Sequence, residues 1–186
     1  MKALVLLLAL PMAAGSASAG MNPHIYCYVD FDPPSEVHRV DPAPYDYVAA
    51  YFVAGCSNDS FKNISLALYV TPESAIYLGY DNLLPSPAVC GDYETGVTID
   101  SQVCVQGSPL IFAVAHIIYS GVPGDVLILD HPQWPRWVVD CSYEVDYYCL
   151  HSHGGIGKDP IPTGEMCGCP SPVECTSWGA VKSLFR

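Results

Sequence analysis

The sequence predicts an all-β domain: a single antiparallel β-sandwich of about eight strands, held together by disulfides. Three observations point there. Short runs rich in Val, Ile, Tyr and Phe recur along the chain, each bounded by Gly, Pro, Asp or Asn; the first group fits a pleated sheet and the second ends it. No segment of the body has the apolar spacing of an amphipathic helix. And nine cysteines follow an N-terminus built for export, a combination that belongs to an oxidising compartment.

The export segment comes first. Lys2 supplies a positive start, residues 3–10 are apolar but too short to span a bilayer, and Ala17-Ser18-Ala19 is a small-residue cleavage site. Residues 1–19 are therefore expected to be a signal peptide, and the mature chain is expected to be secreted or held at the cell envelope, with no membrane insertion after cleavage. The 186-residue chain has 19 acidic and seven basic side chains, a formal charge of −12. Lys2 is one of the seven, so the mature part is more acidic still. Such a chain is a poor ligand for nucleic acid or an anionic membrane.

The strands follow in order. Residues 24–30 (HIYCYVD) are the first candidate. Four prolines in DPPSEVHRVDPAP make the next stretch an extended connector. Residues 45–54 (YDYVAAYFVA) are the second strand, with Ala49, Tyr51 and Val53 on one face and Val48, Ala50 and Phe52 on the other, and 63–70 (NISLALYV) alternates cleanly, with Ile64, Leu66, Leu68 and Val70 on one face. A weaker strand is expected at 74–80, a loop at 84–95, and a strand at 96–105. Residues 110–130 (LIFAVAHIIYSGVPGDVLILD) read as a central hairpin around Pro123-Gly124. A helix from an N-cap at Ser108 to a C-cap at Gly121 is the rival; apolar residues on both faces and the Ile/Val/Phe content favour strand. His116, in mid-strand, is read as a hydrogen-bonded face or core histidine. Residues 137–140 and 143–150 complete the set. The sandwich is thus assigned to residues 20–150, a Gly/Pro-rich loop and linker to 151–173, and a C-terminal tail to 174–186.

Nine is an odd number, so at least one cysteine is left out of intramolecular pairing. Eight paired cysteines allow about 105 connectivities. Cys90–Cys104 and Cys141–Cys149 would each close a short loop; Cys104–Cys141 is a rival that would tie two core strands together.

The succession YVDFDPPSEVHRVDPAPYDYVAAYFVA, GVTI and VLILDHPQWPRWVVDC resembles exported proteins of uncultured bacterial lineages that share the β-sandwich look of cohesin-like modules. The end of the chain, Trp178-Gly179-Ala180-Val181-Lys182-Ser183-Leu184-Phe185-Arg186, is similar to the W-G-x-[IV]-K-x-[LM]-[FY]-R tails of such proteins. The resemblance implies export and a sandwich; it names a group without an assigned activity and brings no catalytic residues.

Several constellations could carry chemistry. His151, His153, Cys167 and Cys169 offer imidazole and thiolate ligands of the kind zinc takes. Asp30, Asp32, Asp41 and Asp130 are oxygen ligands that could hold a structural calcium. The run His153-Gly154-Gly155-Ile156-Gly157-Lys158 lacks both a nucleophile elbow and the Walker spacing, so it reads as a turn. Trp134, Arg136 and Trp137, set between prolines, are candidates for a rigid contact platform for a protein or carbohydrate partner. The expectation is a non-catalytic binding or structural module; the alternative is an exported metal-dependent hydrolase using the His151/His153 region.

Overall fold

Residues 24–56, 61–134 and 136–165 are described by a computed structural model. The expected signal peptide, Cys167, Cys169, Cys175 and the tail lie outside them. Two sheets pack face to face, and alternation decides which side chains lie between them.

The first sheet has the order β12-β1-β3-β8-β5, formed by β1 (Tyr26–Asp30), β3 (Tyr47–Gly55), β5 (Ala75–Asn82), β8 (Leu110–Tyr119) and β12 (Cys149–Ser152). The second runs β11-β10-β4-β9-β13-β2, from β11 (Val145–Tyr147) and β10 (Trp137–Val139) through β4 (Phe61–Val70), β9 (Gly124–Leu129) and β13 (Gly154–Ile156) to β2 (Arg39–Val40). On the other side of β4, β7 (Gly96–Val105) pairs with it and with β6 (Pro87–Asp92). Among the described residues helix is confined to one 3-10 turn, Pro72–Ser74, and no helix is long and apolar enough to cross a membrane.

Ala50, Phe52 and Ala54 of β3, Ile64, Leu66 and Leu68 of β4, and Val126 and Ile128 of β9 form the alternating inward rows, and in β8 a register shift opposite Phe52/Val53 lets Phe112 join Ala115 and Ile117; all are buried. Phe112 stands between Phe52 and Phe61, with ring centroids 6.5 and 6.4 Å away.

The sandwich is as expected, with four differences. First, β8 is a strand, not a helix, but it does not form a hairpin with β9. Both edges of β8 are already taken by β3 and β5, so the chain crosses at 120–123 to the other sheet. Second, two pairings are parallel, β1 with β12 and β2 with β13; β2 arises inside the proline-rich connector and β6 inside the expected loop at 84–95. Third, the sandwich does not stop at residue 150. Gly154–Ile156 is a fully buried strand between β9 and β2. Gly155 has no room for a side chain: a Cβ there would stand 2.3 Å from the Lys158 carbonyl oxygen. A glycine run that reads as loop is here a strand that needs close backbone approach.

Fourth, of the expected disulfides the one present is the rival pairing and not the two short-loop ones. Cys104 is bonded to Cys141, with Cα atoms 5.6 Å apart, whereas Cys90 is a free thiol. The β6–β7 register places Cys90 opposite Thr98, six residues from Cys104, or roughly 20 Å along the strand. The Cys141–Cys149 pairing fails for the same reason: Trp137 faces Tyr147 in the β10–β11 hairpin, which carries Cys141 and Cys149 to opposite ends. Cys56 and Cys149 are each disulfide-bonded.

Candidate functional site

The Asp130–Trp137 segment leaves β9 and returns as β10, and its side chains lie over the outer face of the second sheet. Val138 of β10 is fully buried, so alternation turns Trp137 and Val139 outward. Trp137 and Val139 are half-buried, and their partners across the hairpin, Tyr147 and Val145, are exposed. Trp134 stacks on Trp137 with centroids 5.5 Å apart and planes 15° from parallel, and it is 47% exposed. Tyr147 is 66% exposed and Tyr143, which accepts a 2.9 Å hydrogen bond from Lys62 Nζ, is 71% exposed. The result is a row of aromatic side chains, Trp134–Trp137–Tyr147, beside a Val139–Val145 pair.

The loop that carries Trp134 is fixed from two sides. Gly96 (φ 128°) lets it lie directly on β7, since a Cβ there would meet Pro132 Cδ at 2.8 Å and His131 Nε2 at 2.9 Å. Within the loop, His131 Nδ1 accepts the Gln133 N–H at 3.1 Å. Between this loop and the β6–β7 hairpin lies a cleft of about 250 Å³, lined by Cys90, Asp92, Thr98, His131 and Trp134 among others.

Arg136 has a different part. Its guanidinium is ion-paired with both Asp130 and Glu165. Partial burial works against its charge, but the two carboxylates hold its pKa above the usual arginine value. Glu165 also accepts the Leu150 N–H at 2.9 Å. Although partial burial opposes ionisation, the bonds from Arg136 and Leu150 bring the Glu165 carboxyl below its usual range. Arg136 thus ties the loop to the segment after β13.

The expected metal set is split. The chain passes from the first sheet to the second between β12 and β13, so His151 and His153 do not converge. His153 is buried, and its Nδ1 accepts the Ile128 N–H at 3.4 Å. His151 packs instead against Tyr26, Tyr28 and His38 on the outer face of the first sheet. Glu36 joins His38 and His151 there, one ligand atom of each lying within 4.8 Å of the others; sequence reading missed this grouping because Glu36 and His38 sit in a connector that looked like a spacer, while β1 pairs in parallel with β12, the strand that carries His151.

Of the acids proposed for calcium, Asp30, Asp41 and Asp130 have their carboxylates engaged within the protein. Asp30 accepts three backbone N–H groups, from Asp32, Glu36 and Val37, at 2.9–3.0 Å. Asp41 is ion-paired with Arg39 and Asp130 with Arg136; Asp32 caps a turn through its carbonyl, which accepts the Ser35 N–H. His116 lies on the outer face of the first sheet, bonded to the Tyr47 hydroxyl and to Asp81 Oδ2, a satisfied face histidine.

No protein-family model and no curated protein matches the chain. Solved structures do. A type I cohesin in complex with a dockerin from Clostridium thermocellum (Coh-OlpC-Doc435) is 11% identical with a TM-score of 0.53, covering 77% of this chain and 96% of that one. A second such complex from that organism (Coh-OlpA-Doc918) is 8% identical at a TM-score of 0.54, over 71% of this chain and 96% of that one. A type II cohesin domain from the cellulosome of Acetivibrio cellulolyticus is 12% identical at 0.54, over 75% and 98%. The chain therefore has a cohesin-like β-sandwich fold.

Proposed function

We propose that the protein is an exported, non-catalytic module that binds a protein partner through the outer face of its second sheet, at Trp134, Trp137 and Tyr147. One observation carries the reading: a stacked, half-exposed tryptophan pair extended by an exposed tyrosine, on a loop anchored at Gly96 and Arg136. Rigid aromatic rings lose little side-chain entropy on binding and supply the anchor residues of protein interfaces. Cohesins of the same fold are found in complexes with dockerin proteins, which supports a protein partner. Arg136 serves as a positioning residue for the loop.

The hydrolase alternative loses its motivating geometry with the separation of His151 from His153. A role at the cell envelope or outside the cell rests on the N-terminal segment and on the disulfide between Cys104 and Cys141.

The test is affinity capture from the host's secreted and envelope proteins, followed by titration of the captured partner against the native chain and the W134A/W137A variant. Loss of two central aromatic anchors is expected to weaken binding by at least about 2 kcal/mol, or roughly thirtyfold, with the circular dichroism spectrum unchanged. Equal affinity of the two proteins, or binding of an oligosaccharide in place of a protein, would refute the proposal.

A further inference from the structure

Among the described residues, one group of three metal-binding side chains brings its ligand atoms together: Glu36, His38 and His151, all within 4.8 Å of one another. We propose that these three side chains bind a transition-metal dication, zinc foremost, through two imidazole nitrogens and a carboxylate, with the fourth position open.

The chemistry of the donor set selects the ion. Two imidazoles and one carboxylate form a known three-ligand set for zinc, completed by water or a ligand. Calcium and magnesium take oxygen donors and have little use for imidazole. Tetrahedral zinc with bonds near 2.05 Å would separate its ligand atoms by about 3.3 Å, so the three groups need only close by an ångström or so on the ion.

The surroundings are arranged for it. His38 Nδ1 lies 2.6 Å from the Val29 carbonyl oxygen. A carbonyl can only accept, so Nδ1 carries the proton and Nε2 presents its lone pair, the arrangement of a metal-binding histidine whose second nitrogen is held by the backbone. Glu36 stands at φ 54°, a left-handed conformation uncommon for a residue with a side chain. The buried Asp30 carboxylate holds it there by accepting the N–H groups of Glu36 and Val37. Tyr28 meets the edges of both imidazoles, with centroids 5.7 Å from His38 and 6.3 Å from His151. The ion would join the connector before β2 to the edge strand β12, two segments far apart in sequence.

The experiment is calorimetric titration of the folded, disulfide-bonded mature chain with zinc. One equivalent should bind, raise the melting temperature, and be lost on addition of a chelator. His38→Ala and His151→Ala should each weaken binding by about tenfold to a hundredfold or more, and Glu36→Gln should weaken it as well. His116→Ala, Cys90→Ser and W134A/W137A should leave it unchanged, which keeps this site distinct from the aromatic face. Cobalt(II) on the unmodified chain gives an independent reading: a tetrahedral visible band without thiolate charge transfer is expected, even if a histidine variant fails to fold. No stoichiometric zinc, binding that survives the H38A/H151A double change, loss on Cys90→Ser, or a thiolate-to-cobalt band would each overturn the assignment.

Discussion

His153 shows how burial sets the chemistry of one side chain. Only 8% exposed, it is pushed below the ordinary histidine pKa by burial, which Asp125 opposes and Arg136 reinforces. The unfolded chain therefore binds a proton more readily than the folded one. The neutral ring's contribution is present in full above about pH 6.5 and declines as pH falls through that value toward the lower folded pKa. Stability by urea unfolding is expected to drop between pH 7.5 and 5.5, where carboxylates stay largely ionised, and His153→Gln should flatten that drop; an identical pH dependence in the variant would count against it. This role was not readable from the sequence. His151 and His153 are two residues apart, a spacing that puts side chains on one face of a continuous strand, but the chain changes sheets between them. Trp134 and Trp137 were legible as a pair because prolines and aromatics in a short segment restrict what the backbone can do. Arg136 was legible as important and not as what it is, since its partner Glu165 lies far along the chain.

At the level of elements, the long strands rich in β-forming residues were read correctly. β3, β4, β7 and β8 each carry enough Val, Ile, Leu and aromatic residues to mark them as strands, and β4 alternates cleanly between its two faces. The missed elements are those whose side chains carry no such pattern. β13 is Gly-Gly-Ile and is defined by its pairing with β9 and β2; β6 contains a proline, a glycine and a cysteine and lies at an edge, where Pro is tolerated. Pairing is likewise invisible to local pattern: the crossing between β8 and β9 has the same alternation as a hairpin. The Cys104–Cys141 bond joins the end of β7 to the end of β10 across a sequence separation of 37. Replacing both cysteines with serine is expected to cost about 3–4 kcal/mol by loop-closure entropy, read as a lower urea midpoint. A change below about 1 kcal/mol would mean that the hydrogen bonds of β10 with β4 already fix this corner.

At the scale of the whole molecule, the all-β class, the sandwich and its disulfide character followed from composition, turn residues and the number of cysteines. The mixed pairing and the second-sheet order did not, because they depend on contacts between residues far apart in the chain. The architecture leaves two sheet faces with different surfaces. The first carries the Glu36–His38–His151 group and the Tyr47–His116–Asp81 chain; the second carries the aromatic row. Protein recognition by that row is the central claim, and site-specific photocrosslinking tests it most directly. A photoreactive phenylalanine at Tyr147 is compared with one at Tyr77, on the edge strand β5 of the first sheet, each in the folded chain exposed to its host's extracellular and envelope proteins. The account predicts a discrete protein adduct from position 147 that is abolished by W134A/W137A, and none from position 77. Adducts from position 77 alone, or an adduct at 147 that persists without the two tryptophans, would contradict it.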